Sequence, residues 1–298
     1  MKNLTPLHPR FGVEIHDMDL SQLTDAQFSD LRAAFERHSV LLFRNQTITD
    51  DDHIALARRF GPIEDRNADT RPKDAPPVVA QVSNVRADGS LSGEMDMHTL
   101  HLKANMLWHC DSTFLPVPAL SNILIGRVVT EHGGQTELAS TRAGWADMPD
   151  PLRAQIRDRV IWHRYAHSRA RISPELAKME MFQKWKDQAW RAVWTNPVTK
   201  DEALYIASHA FAVDGLDPDT GANLIDSLIN FVTQPEYVLS HTWNVGDVLV
   251  WDQRAVLHRA TPWDYGAARK LSSLCTSVTP ADGLEEMRPT VPLIGPGG

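Results

Sequence analysis

Apolar positions in "LTDAQFSDLRAAFERHS" recur so that Phe28, Leu31 and Phe35 share one face, which predicts an amphipathic helix. Thr24 and Gln27 are spaced for a capping box at its start. "VLLF", 40–43, is a short wholly apolar run and reads as a buried strand. A second helix is expected from about Thr49, with Leu56 and Phe60 inward and Gly61-Pro62 as its stop. Residues 63–105 are polar and irregular, with a strand expected at "PVVAQVSNV"; so long a connection is often functional. From 107 short strands dominate: "LWHCDSTF", "SNILIGRVV" and "TELAS". A helix follows with Asp150 as N-cap and Pro151 at its first position. The run 174–194 reads as an aromatic-rich helix, and Leu224, Leu228 and Phe231 are spaced for one face of a helix over about 219–232. Strands then return at "HTWNV", "DVLVWDQ", "AVLHRA" and "KLSSLCTSVT", with a turn at Gly246-Asp247. No linker or repeat divides the chain. Many strands with helical insertions predict a mainly β fold, a sandwich or jelly roll with helices packed outside.

Composition narrows the function classes. The 298 residues are 42% apolar and 23% charged, ordinary for a globular chain able to bury a large core. A net charge of −8 argues against nucleic acid or an anionic membrane as the main partner. There is no apolar run long enough to span a bilayer, and "MKNLTPLHPRFG" lacks the apolar core of a signal peptide. Two cysteines, Cys110 and Cys275, form no disulfide framework and suit a reducing cytoplasm. A small-molecule partner is expected, with homo-oligomerisation left open.

The chemistry concentrates in "LWHCDSTF". On a strand, His109 and Asp111 would project to one face and Cys110 to the other. One imidazole and one carboxylate are two ligands for a divalent metal. Two histidines and one carboxylate on a single face form the open site of non-haem Fe(II) oxygenases. A histidine at the end of "WNVGDVLVWDQRAVLHRA", His258, is the candidate third ligand. Taken alone, His109-x-Asp111 is a common chance pattern, and His258 alone reads as a hydrogen-bonded histidine.

Together, "ANMLWHCDSTF", "HGGQTELAS" and "GDVLVWDQRAVLHRATPWDYGAARKL" resemble the Fe(II)/2-oxoglutarate dioxygenases of the taurine and 2,4-dichlorophenoxyacetate dioxygenase family. "SVLLFRNQTITDDDHIALARRFGPIE" extends the likeness over most of the chain, and the first phrase is nearer the 2,4-dichlorophenoxyacetate branch. The resemblance implies a double-stranded β-helix in a single dioxygenase domain, 1–280, followed by a flexible tail, 281–298. It implies Fe(II) held by His109, Asp111 and His258, with 2-oxoglutarate and O2 as co-substrates. The far carboxylate of 2-oxoglutarate would go to Arg269, eleven residues after His258, with a hydrogen bond from Thr136. Related halogenases carry a small residue at the position of Asp111, so the retained carboxylate favours hydroxylation. Hydroxylation of a carbon bearing an ether oxygen would give a hemiacetal that collapses and cleaves the ether. Trp108 and Trp251 are expected to pack behind the metal.

One position departs from the family. The taurine and aryloxyacetate enzymes place a second arginine, for the head of the primary substrate, four residues after the first. Here Ser273 stands there. Candidate replacements are Arg71, Lys73, Lys103, Arg164, Arg169 and Arg171, each of which could equally be a solvated surface charge. Asn84 and His209 fall near pocket segments of the family. Met179, Met181, Phe182, Trp185 and Trp190 could form a lid or a packing face. The expected substrate has an aromatic or apolar body; an aryloxyalkanoate-type acid leads, with a neutral or differently charged aromatic as the alternative. Rival readings are the same oxidant used for desaturation or decarboxylation of another small acid, a non-catalytic metal-binding jelly roll, and Zn²⁺-dependent hydrolysis.

Overall fold

The computed structural model describes residues 3–66, 71–72, 75–94 and 96–296. Strands β1 (Leu4–Pro6) and β2 (Val13–Ile15) lead into helix α1 (Asp25–His38), closed at its start by the expected capping box between Thr24 and Gln27. Strand β3 (Val40–Phe43) and helix α2 (Asp50–Phe60) follow, the helix ending at Gly61. Within "PVVAQVSNV" only β4 (Ala80–Ser83) is strand. The stretch read as irregular also holds a helix, α3 (Met97–Lys103), too short to show a period in sequence. Strand β5 (Ala119–Val128) and strand β6 (Thr136–Ser140) match their apolar runs. Helix α4 (Thr141–Asp147) escapes the pattern, and α5 (Asp150–Ile156) is capped by Pro149 rather than Asp150. Strand β7 (Val160–His163) and helix α6 (Tyr165–Ala170) come next.

The single helix expected over 174–194 does not form. The chain instead makes two isolated turns, α7 (Pro174–Ala177) and α8 (Glu180–Gln183), then β8 (Gln188–Arg191) and β9 (Val193–Thr195). Trp190 lies opposite Ile161 of β7 and is fully buried. Pairing with a distant strand and burial of the indole override a local helical spacing. The remainder is β10 (Glu202–Leu204), β11 (Ala210–Val213), α9 (Pro218–Val232), β12 (Val238–His241), β13 (Val248–Asp252), β14 (Val256–Ala260), β15 (Lys270–Ser277) and α10 (Leu284–Met287). Residues 281–298, read above as a tail, begin with a docked stretch: Leu284 and Met287 are buried in the core.

Mostly strands with several helices, the fold centres on a seven-stranded sheet in the order β1-β2-β3-β13-β5-β15-β4. All its pairs are antiparallel except β2 with β3. A three-stranded sheet, β12-β6-β14, covers one face; α1 and α2 cover the other. The alternation along β13 shows both contacts. Val248 and Val250 pack with Leu31, Phe35 and Phe60 of the helices, while Leu249 and Trp251 pack with Leu138 and Val256 of the small sheet. The same period turns Asn122 and Leu124 of β5, and Leu271, Ser273 and Cys275 of β15, toward the space between the sheets. That space is the candidate site.

Candidate active site

"LWHCDSTF" is not a strand. His109 forms a single bridge to His258, donating to its carbonyl at 3.0 Å and accepting from its N–H at 2.8 Å. Asp111 opens a turn in which Ser112 has a φ of 60°. The two side chains still converge, through a bridge and a turn rather than through one pleated face. Cys110 does turn the other way, into the core beneath α9.

One ligand atom each from His109, Asp111 and His258 lie within 4.8 Å of one another. The Nε2 of His109 is 3.9 Å from Oδ1 of Asp111, and the Nε2 of His258 is 3.6 Å from Oδ2. His109 Nδ1 lies 2.7 Å from the carbonyl of Leu107, which can only accept, so Nδ1 carries the proton and Nε2 presents its lone pair. Burial lowers the pKa of His109, and burial with the neighbouring His109 lowers His258 to about 3. Both rings are therefore neutral near pH 7, as metal ligands must be. Burial by itself would raise the Asp111 carboxyl; His258, His109 and Arg66, with the bond from Asn122, outweigh it and hold Asp111 ionised. Two neutral imidazoles and one carboxylate with open space beside them fit a divalent metal of the non-haem iron type.

Asp111 is clamped. Its Oδ2 accepts from Asn122 Nδ2 at 2.9 Å and from Gln253 Nε2 at 2.5 Å, and Gln253 Oε1 accepts the Asp111 N–H at 2.9 Å. Trp251 packs on His258 with ring centroids 4.7 Å apart, as expected of it, and Arg259 lies over Trp108 at 4.5 Å.

His109, Asp111 and His258 line a cavity of about 540 Å³. At one end sits Arg269, 3% exposed, with its guanidinium donating to the carbonyl of Gly134 at 2.9 Å and lying over Trp263 at 4.8 Å. No carboxylate among the described residues pairs with it. Burial pulls its pKa down to about 10, so it stays cationic at neutral pH. A buried, unneutralised guanidinium is a receptor for a ligand carboxylate. Thr136 lines the same cavity; its Oγ1 accepts from Trp243 Nε1 at 3.0 Å, which leaves the hydroxyl proton free to donate.

The remaining sequence candidates separate. His209 lines the cavity, its ring 6.3 Å from that of His109. Ser273 lines it too, but its hydroxyl donates to Asn122 Oδ1 at 2.9 Å and so supports the clamp on Asp111. Asn84 does not line it: its amide donates to the carbonyls of Tyr265 and Ala267, and its oxygen accepts the N–H of Arg269. Asn84 braces the segment that delivers Arg269 rather than touching a substrate. Arg164 is held by Asp187, Lys103 by Glu94, and Arg171 is exposed. Lys73 lies outside the described residues. Arg71 and Arg169 do line the cavity, Arg71 paired to Asp65. Of the aromatic run, Phe182 is buried, while Met179 and Met181 are exposed.

Sequence reasoning missed Asn122, Gln253 and Arg66. A signal existed for the first two: each is an uncharged polar side chain beside a buried apolar strand, where an unmet amide is costly. Arg66 donates to Ser112 at 2.9 Å and lies 3.9 Å from Asp111, and nothing in "IEDRNAD" marks it.

A family model described as taurine catabolism dioxygenase TauD, TfdA family matches residues 3–275. An (S)-phenoxypropionate/alpha-ketoglutarate-dioxygenase of Sphingobium herbicidovorans is 34% identical over 270 residues, covering 88% of this chain and 90% of its own. An alpha-ketoglutarate-dependent 2,4-dichlorophenoxyacetate dioxygenase of Cupriavidus pinatubonensis is 33% identical over 275 residues, 91% of this chain and 96% of its own. Among solved structures, AAD-2 in complex with Mn(II) and N-oxalylglycine superposes with a TM-score of 0.86 at 31% identity, covering 97% of this chain and 100% of that one.

Proposed function

Because the chain belongs to the taurine catabolism dioxygenase TauD, TfdA family, we propose that it is an Fe(II)- and 2-oxoglutarate-dependent dioxygenase acting on a small aromatic carboxylic acid of the aryloxyalkanoate type. The observation that carries this reading is one cavity with two neutral imidazoles and a carboxylate on its wall and a buried guanidinium without an acid partner at its end. The names of the relatives, phenoxypropionate and 2,4-dichlorophenoxyacetate dioxygenases, support the substrate class.

In this reading His109, Asp111 and His258 hold the iron, and Gln253 and Asn122 keep the Asp111 carboxylate in one orientation. Iron, when bound, supplies the activation of O2 coupled to decarboxylation of 2-oxoglutarate to succinate and CO2. Arg269 and Thr136 anchor the far carboxylate of 2-oxoglutarate and so fix its keto-acid end toward the metal. Of the two oxygen atoms, one ends in succinate and the other in a hydroxyl group on the substrate carbon. Where that carbon carries an aryl ether, the hemiacetal releases a phenol and leaves a carbonyl acid. The wall of Phe114, Tyr165 and His209 excludes water from the reacting carbon.

The same family supports a double-stranded β-helix for the facing sheets and one catalytic domain from the N-terminus to about residue 280. The two free cysteines fit a reducing compartment such as the cytoplasm.

The test is succinate and phenol release from 2-oxoglutarate and a panel of aryloxyalkanoic acids, sulfonates and neutral aryl ethers. Wild type with Fe(II) should release both from the acids and little from sulfonates, and Asp111→Ala should release neither. Absence of succinate in every arm would overturn the reading.

A further inference from the structure

Five arginines line the cavity: Arg66, Arg71, Arg169, Arg259 and Arg269. Three of them have acid partners within the protein. Arg66 is held by Glu64 at 2.5 Å, Arg71 by Asp65 at 2.9 Å and Arg259 by Glu137 at 2.7 Å. Two do not, among the described residues: Arg269, assigned above to 2-oxoglutarate, and Arg169. Two buried, unmatched cations in one cavity call for two anionic groups from its ligands, and 2-oxoglutarate has only one carboxylate far from the metal.

Arg169 is 6% exposed and lies on α6. Its donors find only neutral oxygens: Ser168 Oγ at 2.8 Å and the Tyr165 hydroxyl at 3.5 Å. Its Nε has no acceptor among the described residues. A guanidinium so placed is short of both charge and hydrogen bonds, a costly state unless a ligand completes it. Its rigid fork suits a planar carboxylate. The surroundings are aromatic. The guanidinium lies 4.6 Å over the Tyr165 ring and 5.3 Å over Phe182; Phe114 stacks on Tyr165 at 3.7 Å, and His209 meets Phe114 at 4.9 Å. This row of rings leads back to His109, so a ligand held at Arg169 by its carboxylate can rest an aromatic body on the row while presenting a carbon to the metal.

We propose that Arg169 binds the carboxylate of the primary substrate. The assignment deepens the dioxygenase reading and rests on it. It also accounts for Ser273, whose hydroxyl is committed to Asn122 and leaves no cation at that position.

The test is direct binding, so that it does not depend on turnover. Both enantiomers of 2-phenoxypropionate, and the corresponding neutral amides, are titrated into the anaerobic full-length protein loaded with Mn(II) and 2-oxoglutarate. Wild type should bind at least one acid, and more tightly than its amide by about thirtyfold or more, the usual penalty when a buried charged partner is lost. Arg169→Met should weaken the acid by a similar factor, with the loss falling on the acid rather than on the amide or 2-oxoglutarate. Arg169→Lys should restore part of the affinity. Circular dichroism melting monitors the fold of each variant. If neither variant folds, the acid-over-amide preference of wild type decides. Failure of wild type to bind either acid, equal binding of acid and amide, or a folded Arg169→Met with unchanged acid affinity would each overturn the assignment. A protein that binds the acid through Arg169 but forms no succinate with Fe(II) and O2 would instead refute the dioxygenase reading alone.

Discussion

Individual side chains in this cavity divide by what they face. His109, Asp111 and His258 face one another, whereas Asn122 and Gln253 turn their amide nitrogens to Asp111 from behind. Outer partners of this kind commonly change metal affinity about 10–100-fold when removed. Gln253→Ala is therefore expected to weaken Fe(II) or Mn(II) binding by roughly that factor, read by metal titration of the apoprotein. An affinity unchanged within error would mean that Asn122 alone orients the carboxylate. Arg269, on the proposed reading, faces 2-oxoglutarate. Loss of the charged partner of a buried carboxylate costs about 2–5 kcal/mol, so Arg269→Ala should raise the 2-oxoglutarate requirement at least about thirtyfold while metal binding persists. Titrating 2-oxoglutarate into the Mn(II)-loaded variant measures this, and unaltered affinity would assign the far carboxylate to another cation.

At the scale of elements, the site is built where two connections touch. The β5–β6 connection carries Gly133 and Gly134, and the β14–β15 connection carries Trp263 and Arg269. Gly133 bridges Trp263, and a Cβ on Gly133 would fall 2.5 Å from the carbonyl of Pro262. Gly134 has a φ of 68°, and a Cβ there would stand 2.9 Å from Nε of Arg269. Both positions need glycine for close approach, and the left-handed conformation adds a further penalty for any other residue. Gly134→Ala should thus cost about 1–2 kcal/mol of stability and also weaken 2-oxoglutarate binding, because the displaced atom belongs to the anchoring arginine. Denaturant midpoints and 2-oxoglutarate titration on the same sample separate the two effects. A loss of stability without any change in 2-oxoglutarate affinity would show that Arg269 adjusts freely.

For the whole molecule, burial of neutral histidines sets a pH limit. His163 is fully buried, with no hydrogen-bond partner among the described residues on either ring nitrogen, and burial lowers its pKa to about 3. His53, also fully buried, is lowered to about 4 by burial, against the opposing bond to the carbonyl of Ile123. Unfolded histidine titrates near 6.5, so between that value and the folded one the unfolded chain binds more protons. The stability held by keeping these rings neutral is complete above about pH 6.5 and declines as the pH falls toward 4. Urea midpoints measured from pH 7.5 down to pH 5 should fall steadily, and His163→Leu should make the decline shallower. A slope identical to that of wild type would show that His163 contributes nothing to it.

Much of this architecture is written in short-range pattern. Helices α1, α2 and α9 and strands β3, β5 and β13 follow from spacing, caps and apolar runs, because those depend on neighbours a few residues away. That His109, Asp111 and His258 come together was legible because the side chains a metal site would demand stand in a particular order, whatever backbone carries them. The backbone itself was not legible: a bridge and a turn stand where the alternation predicted a strand, because the partner of His109 lies at 258. Trp190 likewise joins a strand because Ile161 is there to pair with it. The charges were the least readable. Arg164 and Arg169 are five positions apart and alike in composition, yet Asp187 neutralises one and no acid among the described residues reaches the other. Whether an arginine is a solvated charge or a receptor depends on which acids the fold brings beside it, and that is decided only when distant segments meet.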